Sequence, residues 1–312
     1  MRVVFLGSPP FATPILERLI ASPHTPVAVV TAPERSRGRG RKSAASPVAE
    51  LAESAGLPLL RPESARSPEF LAELAALEPD LCLVASYGEL LTQDFLDLPP
   101  RGTLNVHGSL LPRHRGASPV QAALLAGDPV TGVAIQRVVL ALDAGDVLLT
   151  RELEIGAQET AGELFERLSQ LGAEAAVEAL DRVAAGEDAY TPQDPAGVTV
   201  CRKLKKADGA IDWARSAAEL ERFARAMNPW PAARTRLPDG RGLSVLRARL
   251  DESSGAPGEV LEAGASFRVA CGEGALELIE VQVEGKRALP AADFLRGARL
   301  EVGARLGANE ES

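Results

Sequence analysis

Four short apolar runs alternate with helical patterns through the first third of the chain, and they limit its fold more than any other feature. Residues 2–6, Val27–Thr31, Leu57–Leu60 and Asp80–Ser86 are β-favouring with apolar centres, as strands buried on both faces are. Helical periods lie between them. One covers about Phe11 to Ile20 with Ile15, Leu16 and Leu19 on one face; a second starts at Ser46-Pro47, runs to Ala55 and stops at Gly56; a third covers Pro68–Leu77. Strand and helix alternating at this spacing predict an α/β class fold, a Rossmann-like, mostly parallel sheet with right-handed crossovers. The first turn, Gly7-Ser8-Pro9-Pro10, lacks the Gly-x-Gly-x-x-Gly spacing, so dinucleotide binding has no support.

Further on, Ser118–Ala126 reads as a helix, Gly132–Val139 and Val147–Leu153 as strands, and Thr160–Ala185 as a long amphipathic helix. The stripe Leu164, Leu168, Leu171, Val177 and Leu180 on that helix is core packing. From Gly186 to Val200 the composition turns to Pro, Asp and Gly, which marks a linker. After a helix over Ser216–Met227 come short alternating runs at Ala232–Leu237, Leu243–Leu250, Gly258–Leu261, Phe267–Ala270 and Leu276–Val283, separated by glycines. They predict a small antiparallel domain, an OB-like β-barrel or another small β fold of the same spacing. The expected division is 1–189, a linker at 190–206, and a C-terminal domain at 207–312.

At 312 residues, 46% hydrophobic and 25% charged, the chain is ordinary globular material with room for two cores. Met1–Gly7 is too short an apolar run for a signal peptide or a membrane span, so a cytoplasmic protein without membrane contact is expected. Cys82, Cys201 and Cys271 lie far apart, which argues against a disulfide framework and a zinc site. With only His24, His107 and His114 as histidines, a His-rich metal cluster is not expected either. The net charge of −9 argues against a general nucleic-acid coat. Basic residues nevertheless cluster. Arg35, Arg37, Arg39, Arg41 and Lys42 fall within Ala32–Ser46, which has no apolar period and reads as a surface loop; Arg202, Lys203, Lys205 and Lys206 form a second patch. An acidic body with two basic patches suits an RNA bound at one face.

The chemistry concentrates at Thr103-Leu104-Asn105-Val106-His107-Gly108-Ser109-Leu110-Leu111-Pro112-Arg113-His114-Arg115-Gly116. A strand that breaks at Gly108 puts Asn105 and His107 on one face at its carboxyl end, where open α/β sheets bind ligands. An amide can donate to an oxygen gaining charge, and a neighbouring imidazole can move a proton, a pairing suited to acyl transfer. Asp143, in Leu142-Asp143-Ala144-Gly145-Asp146, offers a carboxylate that, close to His107, would either orient the ring and favour its charged form or relay a proton through water. Taken singly, Asn105 also reads as a turn cap, His107 as a hydrogen-bonded histidine and Asp143 as a turn residue.

Together, the run Asn105–Gly116 and the Asp143 loop resemble the signature of formyltransferases that use 10-formyltetrahydrofolate. The resemblance extends to Gly7-Ser8-Pro9-Pro10-Phe11-Ala12, Ser86-Tyr87-Gly88, Ile211-Asp212-Trp213 and Asn228-Pro229-Trp230-Pro231. It implies an enzyme with Asn105, His107 and Asp143 as its catalytic trio and Ser109, Leu110, Leu111 and Pro112 lining a folate pocket. 10-Formyltetrahydrofolate would be co-substrate and no metal is needed. The acceptor it implies is the amino group of methionine on initiator tRNA, formylated for translation initiation by a monomeric enzyme. Arg35, Arg37, Arg39, Arg41 and Lys42 would approach the tRNA with Arg39 at the centre, and Lys203, Lys205 and Lys206 would add a second contact. A small amine acceptor, glycinamide ribonucleotide or an amino sugar, is the alternative; the basic loop and the β-rich domain favour tRNA. The chain departs from the family at Ser8-Pro9-Pro10, where Thr-Pro-Asp is common, at His114, where a bulky aromatic is usual, and at Ala144, where Thr is frequent.

Overall fold

The computed structural model describes residues 1–8, 10–33 and 46–307. Arg35, Arg37, Arg39, Arg41 and Lys42 lie outside the described residues. The chain divides into two compact units. Met1–Pro119, Val130–Glu154 and Phe165–Cys201 make the first, and Val120–Pro129, Ile155–Leu164 and Arg202–Ser312 the second.

In chain order the elements up to residue 201 are β1 (Val3–Gly7), α1 (Ala12–Ile20), β2 (Ala28–Val30), α2 (Pro47–Ser54), β3 (Leu59–Leu60), α3 (Pro68–Ala76), β4 (Leu81–Ala85), α4 (Gln93–Leu96), β5 (Thr103–His107), β6 (Arg115–Gly116), α5 (Pro119–Ala126), β7 (Val130–Arg137), β8 (Val147–Glu154), α6 (Ala161–Ala185) and β9 (Val200–Cys201). Seven strands form one sheet in the order β3-β2-β1-β4-β5-β7-β8. The first five are parallel, while β7 runs antiparallel to β5 and β8 antiparallel to β7. The order reverses between β1 and β4, and in doubly wound sheets the crevice outside the carboxyl ends of the strands at such a reversal is where ligands bind.

Every residue of β1 and β4 is buried, which is why these strands read as unbroken apolar runs. The predicted stripe of α1 is also buried: Ile15, Leu16 and Leu19 have no exposed surface. Local chemistry sets the helix starts. The hydroxyls of Ser46 and Ser67 each accept a backbone N–H at 3.2 Å, from Ala49 and Phe70, with Pro47 and Pro68 in the first helical turn. At the first βα turn a Cβ on Gly7 would stand 2.5 Å from that of Ala12, so close strand–helix packing accounts for this glycine.

Residues 190–201, expected as part of a linker, are hydrogen-bonded into the first unit. β9 pairs in parallel with β6 in a two-residue ribbon, Arg115 opposite Val200 and Gly116 opposite Cys201. Gly116 has φ +115°, and any Cβ there would collide with the Cys201 carbonyl oxygen.

The second unit carries α7 (Ala217–Met227), started by a reciprocal cap between Ser216 and Glu219. The strands that follow, β10 (Ala233–Arg236), β11 (Gly242–Asp251), β12 (Val260–Ala263), β13 (Phe267–Ala270), β14 (Ala275–Val283) and β15 (Ala288–Pro290), lead to α8 (Ala291–Gly297). Their pairing is antiparallel throughout, in the order β10-β11-β14-β13-β12 with β15 on β14. The five predicted runs supply five strands. The sixth is a three-residue strand ending in Pro290, too short to signal itself.

Two outcomes follow from this packing. Burial pushes the thiols of Cys82 and Cys271 up to about 12, so both stay unreactive toward an aromatic disulfide reagent in native protein and react once it is denatured. Rapid labelling of native Cys82 would contradict its place in β4. Gly116→Ala costs about 3 kcal/mol or more in denaturant unfolding, from left-handed backbone strain plus the collision with Cys201; an unchanged unfolding midpoint would contradict the β6–β9 ribbon.

Candidate active site

β5 leaves the sheet interior with Asn105 and His107 on one face, two residues apart. In its pairing with β7, Asn105 stands opposite Gln136 and His107 opposite Ala134, and such register partners share a face. The Asn105 amide therefore lies beside the Gln136 side chain. Among the described residues nothing hydrogen-bonds that Asn105 amide, which is half-buried with its donors available.

Gln136 is 2% exposed, and its amide Nε2 donates to Asp143 Oδ1 at 2.9 Å. The Gly116 backbone N–H donates to Asp143 Oδ2 at 2.8 Å. Each carboxylate oxygen thus has its own N–H, which fixes the plane of the group. The turn beneath is tight. Asp143 has φ +49°, and a Cβ on Gly145 would collide with the Arg137 carbonyl oxygen, so the second residue after Asp143 has to be glycine.

His107 is buried, and its Nε2 lies 3.0 Å from the carbonyl oxygen of His114. A carbonyl only accepts, so Nε2 carries the hydrogen. Nδ1 is then left for chemistry, 3.7 Å from Asp143 Oδ1. This is too long for a direct hydrogen bond and within ion-pair reach once the ring is protonated. The His114 carbonyl holds the ring at Nε2, and Asp143 faces it across 3.7 Å on the Nδ1 side. His114 has φ +58°; its N–H donates to Thr199 Oγ1 at 2.8 Å, and the Arg115 N–H donates to the Thr199 carbonyl at 2.9 Å. The His114 side chain is buried, and its carbonyl is what serves the site.

Of the residues expected to meet a folate, Ser109 is fully buried and its hydroxyl donates to the Arg113 carbonyl at 2.6 Å, closing the loop on itself. Leu111 is buried, while Leu110 and Pro112 are half-buried. Beside Asp143, Leu140 and Leu142 are 63% and 55% exposed, an uncovered apolar lip on the loop of the site. Lys203, Lys205 and Lys206 belong to the second unit and are exposed. Neighbouring Arg202 grips Asp208 with two hydrogen bonds of 2.7 and 2.6 Å. That grip, the first cause, with the Lys205 N–H, draws the Asp208 carboxyl down to about 2. Among the described residues no three His, Cys, Asp or Glu side chains group to hold a metal, and no helix is long and apolar enough to cross a membrane.

Gln136, Gln193 and Thr199 were not singled out by the sequence. Gln136 had a signal, a polar side chain at a position of an alternating strand that pairs with the motif strand. Gln193 and Thr199 had none, because they sit in a stretch whose Pro, Asp and Gly content suggested only a linker.

Comparison with known proteins places the chain in a family. Residues 1–180 match the family model described as "Formyl transferase", and residues 203–299 match "Formyl transferase, C-terminal domain". The methionyl-tRNA formyltransferase of Citrifermentans bemidjiense is 45% identical over 313 residues, covering 100% of this chain and 98% of that one. The methionyl-tRNA formyltransferase of Methylococcus capsulatus is 47% identical, covering 98% and 100%. Among solved structures, the N-formyltransferase from Helicobacter canadensis, in complex with folinic acid and dTDP-3-aminofucose, shares the fold at a TM-score of 0.64 with 13% identity, covering 92% of this chain and 100% of that one. With more than half its length matched by one family model, and near full-length relatives well above 40% identity, the chain belongs to the formyltransferase family.

Proposed function

We propose that this protein transfers the formyl group of 10-formyltetrahydrofolate to the amino group of methionine on initiator methionyl-tRNA, giving N-formylmethionyl-tRNA for translation initiation. The observation that carries the reading is the juxtaposition at the end of β5: a free Asn105 amide, a His107 ring with Nε2–H committed, and an Asp143 carboxylate 3.7 Å from the open Nδ1. The residues present fit a folate. Leu110, Leu111 and Pro112, with the backbone of Ser109, would hold a flat heterocycle, and the exposed Leu140 and Leu142 would be covered by an apolar ligand face.

The bound folate supplies an electrophilic formyl carbon attached to a nitrogen that leaves with the electron pair. The Asn105 amide donates to the formyl oxygen as it gains charge, a contribution of about 3 to 4 kcal/mol for a donor of this kind. The methionine amine must be uncharged to attack, and it sheds a proton as its bond to carbon forms. With Nε2–H given to the His114 carbonyl, His107 accepts that proton at Nδ1. The imidazolium so formed faces the Asp143 carboxylate, which the N–H groups of Gly116 and Gln136 hold in place. His107 then returns the proton to the departing nitrogen.

Choice of acceptor rests on other features. The two relatives named for methionyl-tRNA align over nearly the whole chain at 45% and 47% identity, whereas the amino-sugar enzyme that shares the fold over 92% of it is 13% identical. Arg35, Arg37, Arg39, Arg41, Lys42, Lys203, Lys205 and Lys206 are the proposed tRNA contacts, so tRNA affinity falls steeply with salt.

The test mixes purified protein with 10-formyltetrahydrofolate and charged initiator tRNA and follows the release of tetrahydrofolate and the formation of formylmethionyl-tRNA. Turnover is expected, and Asn105→Ala lowers kcat about 10²- to 10³-fold with little change in KM. Turnover with an amino sugar or glycinamide ribonucleotide but not with charged tRNA would overturn the acceptor assignment. An Asn105→Ala enzyme at full kcat would overturn the mechanism.

A further inference from the structure

We infer that Gln193 is a positioning residue for Asp143, an inference that rests on reading Asp143 as part of the catalytic trio. Gln193 is fifty positions along the chain from Asp143, yet its side-chain amide is bonded at both ends. Its Oε1 accepts from Arg115 Nε at 3.0 Å and from Arg115 Nη2 at 2.8 Å. Its Nε2 faces three oxygens, the Asp143 carbonyl at 2.9 Å, the Gly145 carbonyl at 2.7 Å and Gln136 Oε1 at 3.2 Å.

This arrangement admits one orientation. A guanidinium only donates and a carbonyl only accepts, so a flipped Gln193 amide would oppose donor to donor and oxygen to oxygen. The constraint passes on. Because Gln136 Oε1 faces the Gln193 NH₂, its own NH₂ must turn to Asp143 Oδ1, where it lies at 2.9 Å. Gln193 also grips the two backbone carbonyls of the turn that holds Asp143 at φ +49°. Arg115, the anchor of this relay, is followed directly by Gly116, whose N–H holds the other carboxylate oxygen. Without the Gln193 amide, the Gln136 side chain is free to present either end to Asp143 and the turn loses its tie. The carboxylate then leaves its place opposite His107 Nδ1. Gln193 touches neither substrate nor His107 in this role and acts only through Asp143.

The experiment is a mutant cycle in the full chain, with 10-formyltetrahydrofolate and charged initiator tRNA as substrates. Gln193→Ala removes the relay. Gln193→Glu keeps the size of the side chain and the acceptor for Arg115 but cannot donate to the three oxygens. Each single variant is expected to lower kcat about 10- to 100-fold, as loss of a supporting partner does elsewhere, with KM for both substrates little changed and a cooperative unfolding transition retained. In an Asp143→Asn background, adding Gln193→Ala should lower kcat less than about 3-fold, because the group it positions is already gone. A full additional 10- to 100-fold loss in that background would overturn the inference, as would wild-type kcat in Gln193→Glu. An Asp143→Asn enzyme at wild-type kcat would instead overturn the reading of Asp143 on which the inference rests.

Discussion

The backbone of residues 114–116 turns back over the end of β5, and both partners of the proposed proton transfer hang from it. The His114 carbonyl takes the Nε2–H of His107, and the Gly116 N–H takes one oxygen of Asp143. Main-chain groups two residues apart thus set the ring and the carboxylate relative to one another. The turn is only possible with left-handed backbone at His114, φ +58°, and a glycine at 116, φ +115°. Non-glycine residues in such conformations cost about 1 to 3 kcal/mol each. At His114 and Asp143 that cost is offset by the ribbon of β6 and β9 and by the hydrogen bonds of Thr199 and Gln193.

Holding the site through main-chain atoms also explains a departure from the family pattern. A bulky aromatic is usual at the position of His114, but the atom that serves His107 is the carbonyl oxygen, which every residue has. The imidazole of His114 is buried, and its own backbone N–H is taken by Thr199. The imidazole Nδ1 also stands 3.4 Å from Thr199 Oγ1, so Thr199 holds this residue through both its backbone and its ring. Ser109 makes the same point, since its hydroxyl closes the loop onto the Arg113 carbonyl.

Much of this was legible in the residues, and the remainder was hidden for physical reasons. Buried parallel strands announce themselves as continuous apolar runs, so β1, β2 and β4 could be read directly, as could the Ser-Pro starts of α2 and α3. Asn105, His107 and Asp143 stood out through the resemblance of their two motifs to the family signature, and the fold brings the three to one strand end and the turn beside it. The antiparallel entry of β7 and β8 was not legible, because alternation along one strand says nothing about the direction of its neighbour. Nor was the support from Gln193, Thr199 and Cys201. Those contacts span tens of residues, and most of them use backbone atoms that leave no mark in a sequence. The ring of His107 shows the limit most clearly: the carboxylate nearby was the visible partner, and a main-chain carbonyl does the orienting.

The central claim is that this backbone hydrogen bond commits one nitrogen of His107 and leaves the other for proton transfer. Nitrogen-15 NMR of histidine-labelled protein measures it directly, because the shifts of the two ring nitrogens report which one carries hydrogen. The account predicts that neutral His107 is the Nε2–H tautomer, with Nδ1 bare. A neutral ring with hydrogen on Nδ1 and a bare Nε2 would contradict it.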